Sequence, residues 1–334
     1  MIDVPSEEQF RGCLVGQALG DALGFVVEGR PPEVCREYAD KVLGRDEQLG
    51  RGQFSFGQYS DDTQLARELV QSYTARGRFD PEDYARRISA IFSEGRIVGR
   101  GRSTEKAANR LARGIPWDEA GTPPPSAGNG SAMRAGPIGL IFYDDSEGLV
   151  RAATEQGIIT HADPRCSAGA IAVAGAVSLA ARRRPIEPTP FLTQLAKLSG
   201  EVEPRFATYL KHLARWLRLS PEEAVTRISQ EGLEQDPRNG WRGIPPFVVG
   251  SVLWSLYSFL RSPEDYRETI HTAISVGGDV DTTAAMAGAI SGARLGLAAV
   301  PRSLAHRLID RGTWGFVELI ALADECHRTK GRLA

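Results

Sequence analysis

Four glycines spaced four apart, Gly12, Gly16, Gly20 and Gly24, lie within an apolar stretch of helical periodicity. Four residues is close to one turn, so they form a single bare stripe along a helix. Each interior glycine costs a helix about 1 kcal/mol against alanine, so something must approach this backbone closely. A second smooth helix is Ala284-Ala-Met-Ala-Gly-Ala-Ile-Ser-Gly-Ala293, and two such surfaces can pack at short interaxial distance. Helix packing suffices to explain the glycines themselves. Function has to be sought at the helix ends.

Apolar residues recur at helical spacing along most of the chain, as at Leu65, Leu69 and Tyr73 or at Val252, Leu256 and Leu260. The spacing predicts helices over 7–27, 61–76, 81–93, 103–113, 131–142, 146–158, 165–182, 188–198, 203–217, 220–230, 246–261, 263–275, 281–295 and 301–323. Between them fall Gly- and Pro-rich loops, including Gly121–Gly128, Pro185–Pro190 and Asp236–Gly240. Helical periodicity resumes within a few residues of each loop, and no repeat of 20–50 residues is visible. The expectation is an all-α, compact single-domain orthogonal helical bundle over residues 1–334.

Charge narrows the classes of partner. With 40 Lys and Arg against 42 Asp and Glu, the formal charge is −2, and the one short basic run, Arg182–Arg184, is local. General nucleic-acid binding is therefore not expected. The four cysteines, Cys13, Cys35, Cys166 and Cys326, form no CxxC pair, which predicts reduced, cytoplasmic chemistry with neither a zinc knuckle nor a disulfide framework. The start Met1-Ile-Asp-Val-Pro-Ser-Glu-Glu8 lacks the form of a secretory signal, and no apolar run is expected to reach the roughly 20 residues of a membrane span.

Two loop-to-helix junctions carry more acid than a helix start needs. Ser60-Asp61-Asp62-Thr63 is the first, and on its own would be read as a capped helix. The second is Gly277-Gly278-Asp279-Val280-Asp281-Thr282-Thr283. Capping takes one acceptor, so four carboxylates with hydroxyls at two such starts imply a cation. If the junctions converge, they make an all-oxygen cage suited to Mg²⁺ or Mn²⁺, with enough charge to balance two ions. Asp21 and Glu28 are about two turns apart and would share a face of a continuous helix, leaving Glu28 as the acid or base beside the metals. A solvated surface pair fits their spacing equally well.

The loop Gly128-Asn129-Gly130-Ser131-Ala132-Met133-Arg134 runs into an expected helix, where free N–H groups could cradle a phosphate or simply form an Asx turn. Gly101-Arg-Ser-Thr104 is a second candidate of that kind. His161, alone before an Ala-rich helix, reads more readily as structural than as catalytic.

In this order, the segments Gly12–Gly24 with Glu28, Ser60–Thr63, Gly128–Arg134, Thr160-His161 and Gly277–Thr283 resemble the ADP-ribosylglycohydrolase family. The resemblance implies an all-α hydrolase with a dinuclear Mg²⁺ or Mn²⁺ site. Its metal ligands fall on Ser60, Asp61, Asp62, Asp279, Asp281 and Thr282. Catalytic work falls on Glu28, Asp62 and Asp281. Asp21, Gly128, Asn129, Gly130, Ser131, Met133 and His161 would bind ADP-ribose, with Tyr143, Phe247 or Tyr257 stacking the adenine. Substrates would be an ADP-ribosylated protein or small molecule, with ADP-ribose as the product and no membrane partner. An arginine linkage is the first expectation, and the stretch Ser93–Arg102, including Glu94, would face the acceptor. Alternative readings are a non-catalytic ADP-ribose-binding homologue, a hydrolase of a small metabolite such as O-acetyl-ADP-ribose, and a dinuclear phosphohydrolase cutting the diphosphate.

Overall fold

The computed structural model describes residues 3–45, 48–182, 185–233 and 241–333. Arg183 and Arg184 of the basic run, the loop expected over Asp236–Gly240 and the first two residues of the acidic start lie outside the described residues. The protein is all-helical, and only isolated bridges occur outside the helices among the described residues. Helices α1 (Glu7–Val27), α2 (Pro32–Arg45), α3 (Asp61–Arg76), α4 (Pro81–Ser93) and α5 (Arg102–Ala112) come first. They are followed by α6 (Gly136–Ile141), α7 (Ser146–Ile158), α8 (Pro164–Ala180), α9 (Pro188–Gly200), α10 (Pro204–Trp216) and α11 (Pro221–Ile228). The chain continues through α12 (Val248–Arg261), α13 (Tyr266–Ile274), α14 (Val280–Leu295), α15 (Arg302–Ala305) and α16 (Phe316–Leu333).

The glycine stripe meets the smooth helix as an antiparallel pair. A Cβ on Gly12 would stand 2.3 Å from the Gly292 carbonyl oxygen, one on Gly16 2.5 Å from that of Gly288, and one on Gly20 2.1 Å from that of Ala284. At the far end a Cβ on Gly24 would be 2.4 Å from the Asp281 Cα. The backbones thus touch turn by turn, and the four-residue register carries the end of α1 to the start of α14. Gly29 N–H completes the run by donating to the Gly278 carbonyl at 2.9 Å. Both helices are buried on nearly every side, and apolar side chains from Phe10 to Cys326 form one contiguous core.

Helix α1 corrects one expectation. At 21 residues it is long and apolar enough to cross a membrane by length and composition. Its most apolar window is 89% buried inside the protein, which is the position of a core helix. Other corrections concern helix ends. The expected helix over 131–142 is helical only from Gly136, because residues 131–134 form turns behind the Gly128–Gly130 loop. The helix expected over 301–323 is divided into α15 and α16 by a tight turn in which Arg311 and Trp314 have positive φ. Helix α2 is absent from the helices expected from apolar spacing. Pro32 begins it, where a missing N–H does no harm.

The close approach makes a sharp test. Gly292→Ala, whose Cβ would stand within covalent-like distance of the Gly12 carbonyl, should destabilise the fold by about 3 kcal/mol through overpacking. Gly44→Ala in α2, with nothing within 4 Å of the new methyl, should be neutral or slightly stabilising. Denaturant titration of both variants checks the contrast, and equal effects would contradict the packing account.

Candidate functional site

The starts of α3 and α14, 220 residues apart, are joined at the end of α1. Thr282 Oγ1 donates to Asp62 Oδ1 at 3.3 Å, linking the two acidic junctions directly. Asp21, on the buried face of α1, accepts from the backbone N–H of Ser60 at 2.9 Å and of Thr63 at 3.0 Å. It therefore closes the amide end of α3 from outside the helix. That leaves Asp61 and Asp62 unneeded for capping; Ser60 supplies only a long 3.4 Å acceptor to Asp62 N–H. At α14, Asp279 occupies the cap position without a capping bond and instead accepts from Asn129 Nδ2.

These acids open onto a cleft of about 860 Å³. Its walls include Glu28, Asp61, Asp62, Asp279, Asp281 and Thr282 on the acidic side, with Gly128, Asn129, Gly130, Met133 and His161 beyond them. Eleven sequence-predicted residues are thus brought to one cavity. Three are placed behind it. Asp21 is spent on the α3 junction, Ser60 lies there with its hydroxyl engaged only by the long bond from Asp62 N–H, and Ser131 is fully buried with its hydroxyl donating to the Cys166 carbonyl at 2.9 Å. Of the aromatic candidates, Phe247 lines the cleft. Tyr143 instead sits beneath Lys330, and Tyr257 is buried against Trp254 with its hydroxyl on the Leu219 carbonyl. These two are too far into other contacts to stack a ligand.

Glu28 departs from its expected place as well. Helix α1 ends at Val27, so Asp21 and Glu28 do not continue one helical face; Asp21 turns to α3. Carboxylate oxygens of Glu28, Asp279 and Asp281 lie within 4.8 Å of one another, so Glu28 belongs to the acid cluster itself. It is also held by Arg51, whose guanidinium donates to Glu28 Oε2 at 2.8 Å and to the Phe25 carbonyl at 2.7 Å. No local pattern marked Arg51, because its partner lies in another segment.

The electrostatics of this end of the cleft are those of too many acids in too little water. Burial, followed by the charge of Asp21, pushes the Asp61 and Asp62 carboxyls well above the usual range. Asp281 is raised by burial and then by Glu28 and Asp279. Burial lifts Asp279 to about 7 against the Asn129 hydrogen bond, and Asp21 to about 6 against its two amide bonds. Asp62 Oδ2 is buried without a hydrogen-bond partner. A divalent cation would satisfy that oxygen and let the whole set ionise, so the residues fit a metal site of hard oxygen ligands.

The cleft lining is also cationic and aromatic. Arg100, Arg102, Lys106 and Arg165 share it with Trp241 and Phe247. Arg165 is fixed by Asp163 at 2.8 Å and lies over the Phe247 ring, 5.6 Å from its centre. The loop carrying Arg100 is strapped to the metal-facing helix: Gln64 on α3 accepts from Val98 N–H at 2.8 Å and donates to the Arg96 carbonyl. Asp310 anchors Gln64 and Arg67 in turn, at 2.9 and 2.8 Å. Gly99, at a φ of +73°, passes so near that a Cβ there would come 2.7 Å from Asp61 Oδ1.

An all-helical chain whose cleft is lined by clustered carboxylates and by cations has the donors for a hard metal ion and for an anionic ligand. The family model described as ADP-ribosylglycohydrolase matches residues 3–332, and the chain belongs to that family. It is 33% identical over 349 residues to the ADP-ribosylhydrolase ARH3 of Bos taurus, covering 97% of this chain and 93% of that protein. To the ADP-ribosylarginine hydrolase Tri1 of Pseudomonas putida (strain GB-1) it is 25% identical over 302 residues, 88% of this chain and 72% of that one. A solved structure titled ADP-ribosylglycohydrolase-related protein complex superposes with a TM-score of 0.69 at 29% identity, covering 97% of this chain and 98% of the other. The protein is thus an all-α enzyme that hydrolyses ADP-ribosyl groups.

The raised carboxyls have a signed consequence. An acid whose folded pKa exceeds its unfolded value stabilises the fold when protonated, and that stability is lost as pH rises through the folded pKa. With Asp279 at about 7 and three more acids raised, the metal-free protein should melt at a higher temperature at about pH 6.5 than at about pH 8. Mg²⁺ or Mn²⁺ should raise the melting temperature more at the higher pH. Thermal scans in EDTA and with each metal check both, and a metal-free melting point that climbs with pH over this range would contradict the assignment.

Proposed function

We propose that this enzyme cleaves the glycosidic bond between the terminal ribose of a mono-ADP-ribosyl group and its acceptor, at a site for two Mg²⁺ or Mn²⁺ ions, with the whole chain acting as one domain. The observation that supports it most is that one cleft is lined by both a cluster of acids and a set of cationic and aromatic side chains. Ser60, Asp61, Asp62, Asp279, Asp281 and Thr282 would hold the ions. Bound there, the metals would supply positive charge to fix the sugar hydroxyls and make a nearby water more acidic.

The rest is done by the chain. Glu28 has one oxygen on Arg51 and lies against Asp279 and Asp281, so its carboxylate can take a proton from water or return one to the leaving group at the anomeric carbon. Asp21 keeps the α3 junction in place through the Ser60 and Thr63 amides. Asn129 holds Asp279 while its own amide is shared with Ser251 Oγ at 2.9 Å. Gly128 and Gly130 leave room for a diphosphate beside His161, and the four wall cations complement its charge. Phe247, backed by Arg165, offers the adenine a flat apolar face.

For the acceptor, a neutral oxygen linkage suits these walls better than the arginine linkage expected from sequence. A guanidinium leaving group needs a carboxylate partner. Glu94, the acid nearest in sequence, is exposed, paired with Arg96 at 2.6 Å and absent from the cleft lining. Arg102 and Lys106 would instead add positive charge to the cleft that a cationic acceptor has to enter.

Purified enzyme incubated with serine-linked and arginine-linked mono-ADP-ribosyl peptides should release intact ADP-ribose faster from the serine peptide, with activity lost in EDTA. Mass spectrometry of the nucleotide decides: AMP would move the reaction to the diphosphate, and a faster arginine peptide would overturn the acceptor argument. Asp62→Ala and Asp281→Ala should each reduce turnover by at least about a thousandfold while the circular dichroism spectrum stays native. Undiminished turnover in a folded variant would discard the metal-site assignment.

A further inference from the structure

Among the described residues His161 is the one imidazole on the cleft wall, and its far nitrogen is engaged by a buried chain of hydrogen bonds. Arg134, fully buried, donates through Nε to Gln156 Oε1 at 2.7 Å and through Nη2 to the Gln156 carbonyl and to Thr160 Oγ1, both at 2.8 Å. Thr160 Oγ1 in turn lies 2.8 Å from His161 Nδ1. A guanidinium has only donors, so the threonine oxygen is an acceptor toward Arg134 and has a single proton of its own to give. The competing acceptor for that proton, the Gly157 carbonyl, is 3.5 Å away and already receives the N–H groups of Thr160 and His161 at 3.1 and 2.9 Å. The hydroxyl proton therefore points to Nδ1, where the lone pair of a neutral ring faces the guanidinium side favourably. Nδ1 being an acceptor, the ring proton sits on Nε2.

We infer that Arg134, acting through Thr160, is a positioning residue that locks His161 in the neutral Nε2–H tautomer, so that the ring serves the cleft as a hydrogen-bond donor to an anionic oxygen and not as a base. Two glycines shape the approach to that nitrogen. A Cβ at Gly128 would stand 3.3 Å from Nε2, and one at Gly130 2.6 Å from Cε1, inside van der Waals contact. The space in front of Nε2 is thus kept clear by residues of the same loop proposed to receive the diphosphate. Burial and the neighbouring Arg134 charge also push the ring down to about 3, which keeps it uncharged at neutral pH. A neutral donor has an advantage in a site that must release its product: it recognises an oxygen without adding a full charge to the four cations already on the wall. The assignment of a ligand oxygen rests on the ADP-ribose reading, whereas the tautomer does not.

The test uses the full-length protein labelled with ¹⁵N-histidine, with the His161 signals among those of five histidines identified by their loss in His161→Gln. At neutral pH and without ligand, His161 should show a protonated Nε2 and a bare Nδ1. A proton on Nδ1, or on both nitrogens, would overturn the inference whatever the protein binds. Thr160→Val keeps the side-chain shape and removes the hydroxyl. It should abolish the single-tautomer spectrum and weaken ADP-ribose binding by about tenfold in calorimetry, one hydrogen bond to a charged ligand, while Thr160→Ser restores both. Unchanged spectrum and affinity in Thr160→Val would overturn the relay. A wild-type protein with the expected tautomer and no ADP-ribose affinity would overturn the ligand assignment and the proposed function together, leaving the tautomer established.

Discussion

Contact between two helix backbones governs this structure. Glycines on α1 and α14 let the chains pass so closely that an added methyl on any of several positions would overlap a carbonyl, and the meeting recurs every turn. Such a pair cannot slide by a residue without driving side chains into backbone, so its register is fixed by exclusion as much as by attraction. The register delivers the end of α1 to the loop before α14, which puts Glu28 beside Asp279 and Asp281. Asp21, about two turns further inside the same helix pair, then captures the start of α3 through two amides. Three segments remote in sequence thus inherit their relative positions from one seam.

The acid cluster is the cost of that arrangement. Carboxylates raised by burial and by each other oppose folding when ionised, and a protein built only for stability would replace them with apolar residues. The surrounding scaffold offsets the penalty with a large apolar core and with bonds that are unusually committed. Asp21, Asn129 and Gln17 all use buried polar atoms on the backbone or acids of the junctions, Gln17 donating to the carbonyls of Asp62 and Met133. Local instability concentrated at a functional site, supported by a rigid shell, is the expected form of a stability–activity trade-off.

Much of this was legible in the chain. The glycine stripe announced a close helix pair, and surplus acid at two helix starts announced a shared acid cluster; both are local patterns with one physical explanation each. Eleven of the residues singled out for the site do face the cleft. What escaped were features that depend on which distant segments meet. Arg51 reaches Glu28 from a loop, Trp241, Lys106 and Arg165 reach the cleft from segments without a motif while Arg100 and Arg102 lie in a stretch already singled out, and Asp21 and Ser131 look like ligand contacts until the fold commits them elsewhere. Helix α2, begun by Pro32, was missed, and a helix was run on where backbone with positive φ interrupts apolar periodicity, as between α15 and α16. The relay from Arg134 to His161 has both members inside recognisable segments, yet only their packing shows that one sets the hydrogen of the other.

The strap through Gln64 and Asp310 gives this enzyme a direction in time. Asp310 lies beyond α15, yet it anchors the residues that hold the Arg96–Val98 backbone against α3. During synthesis the acidic groups of α3 emerge long before Asp279 and Asp281, and the clasp for the adjoining wall emerges later still. Until the α14 start is made, Asp61 and Asp62 have no Asp279 or Asp281 to crowd them. The cleft therefore needs two later segments, the α14 start that gathers the acids and the Asp310 turn that holds the adjoining wall.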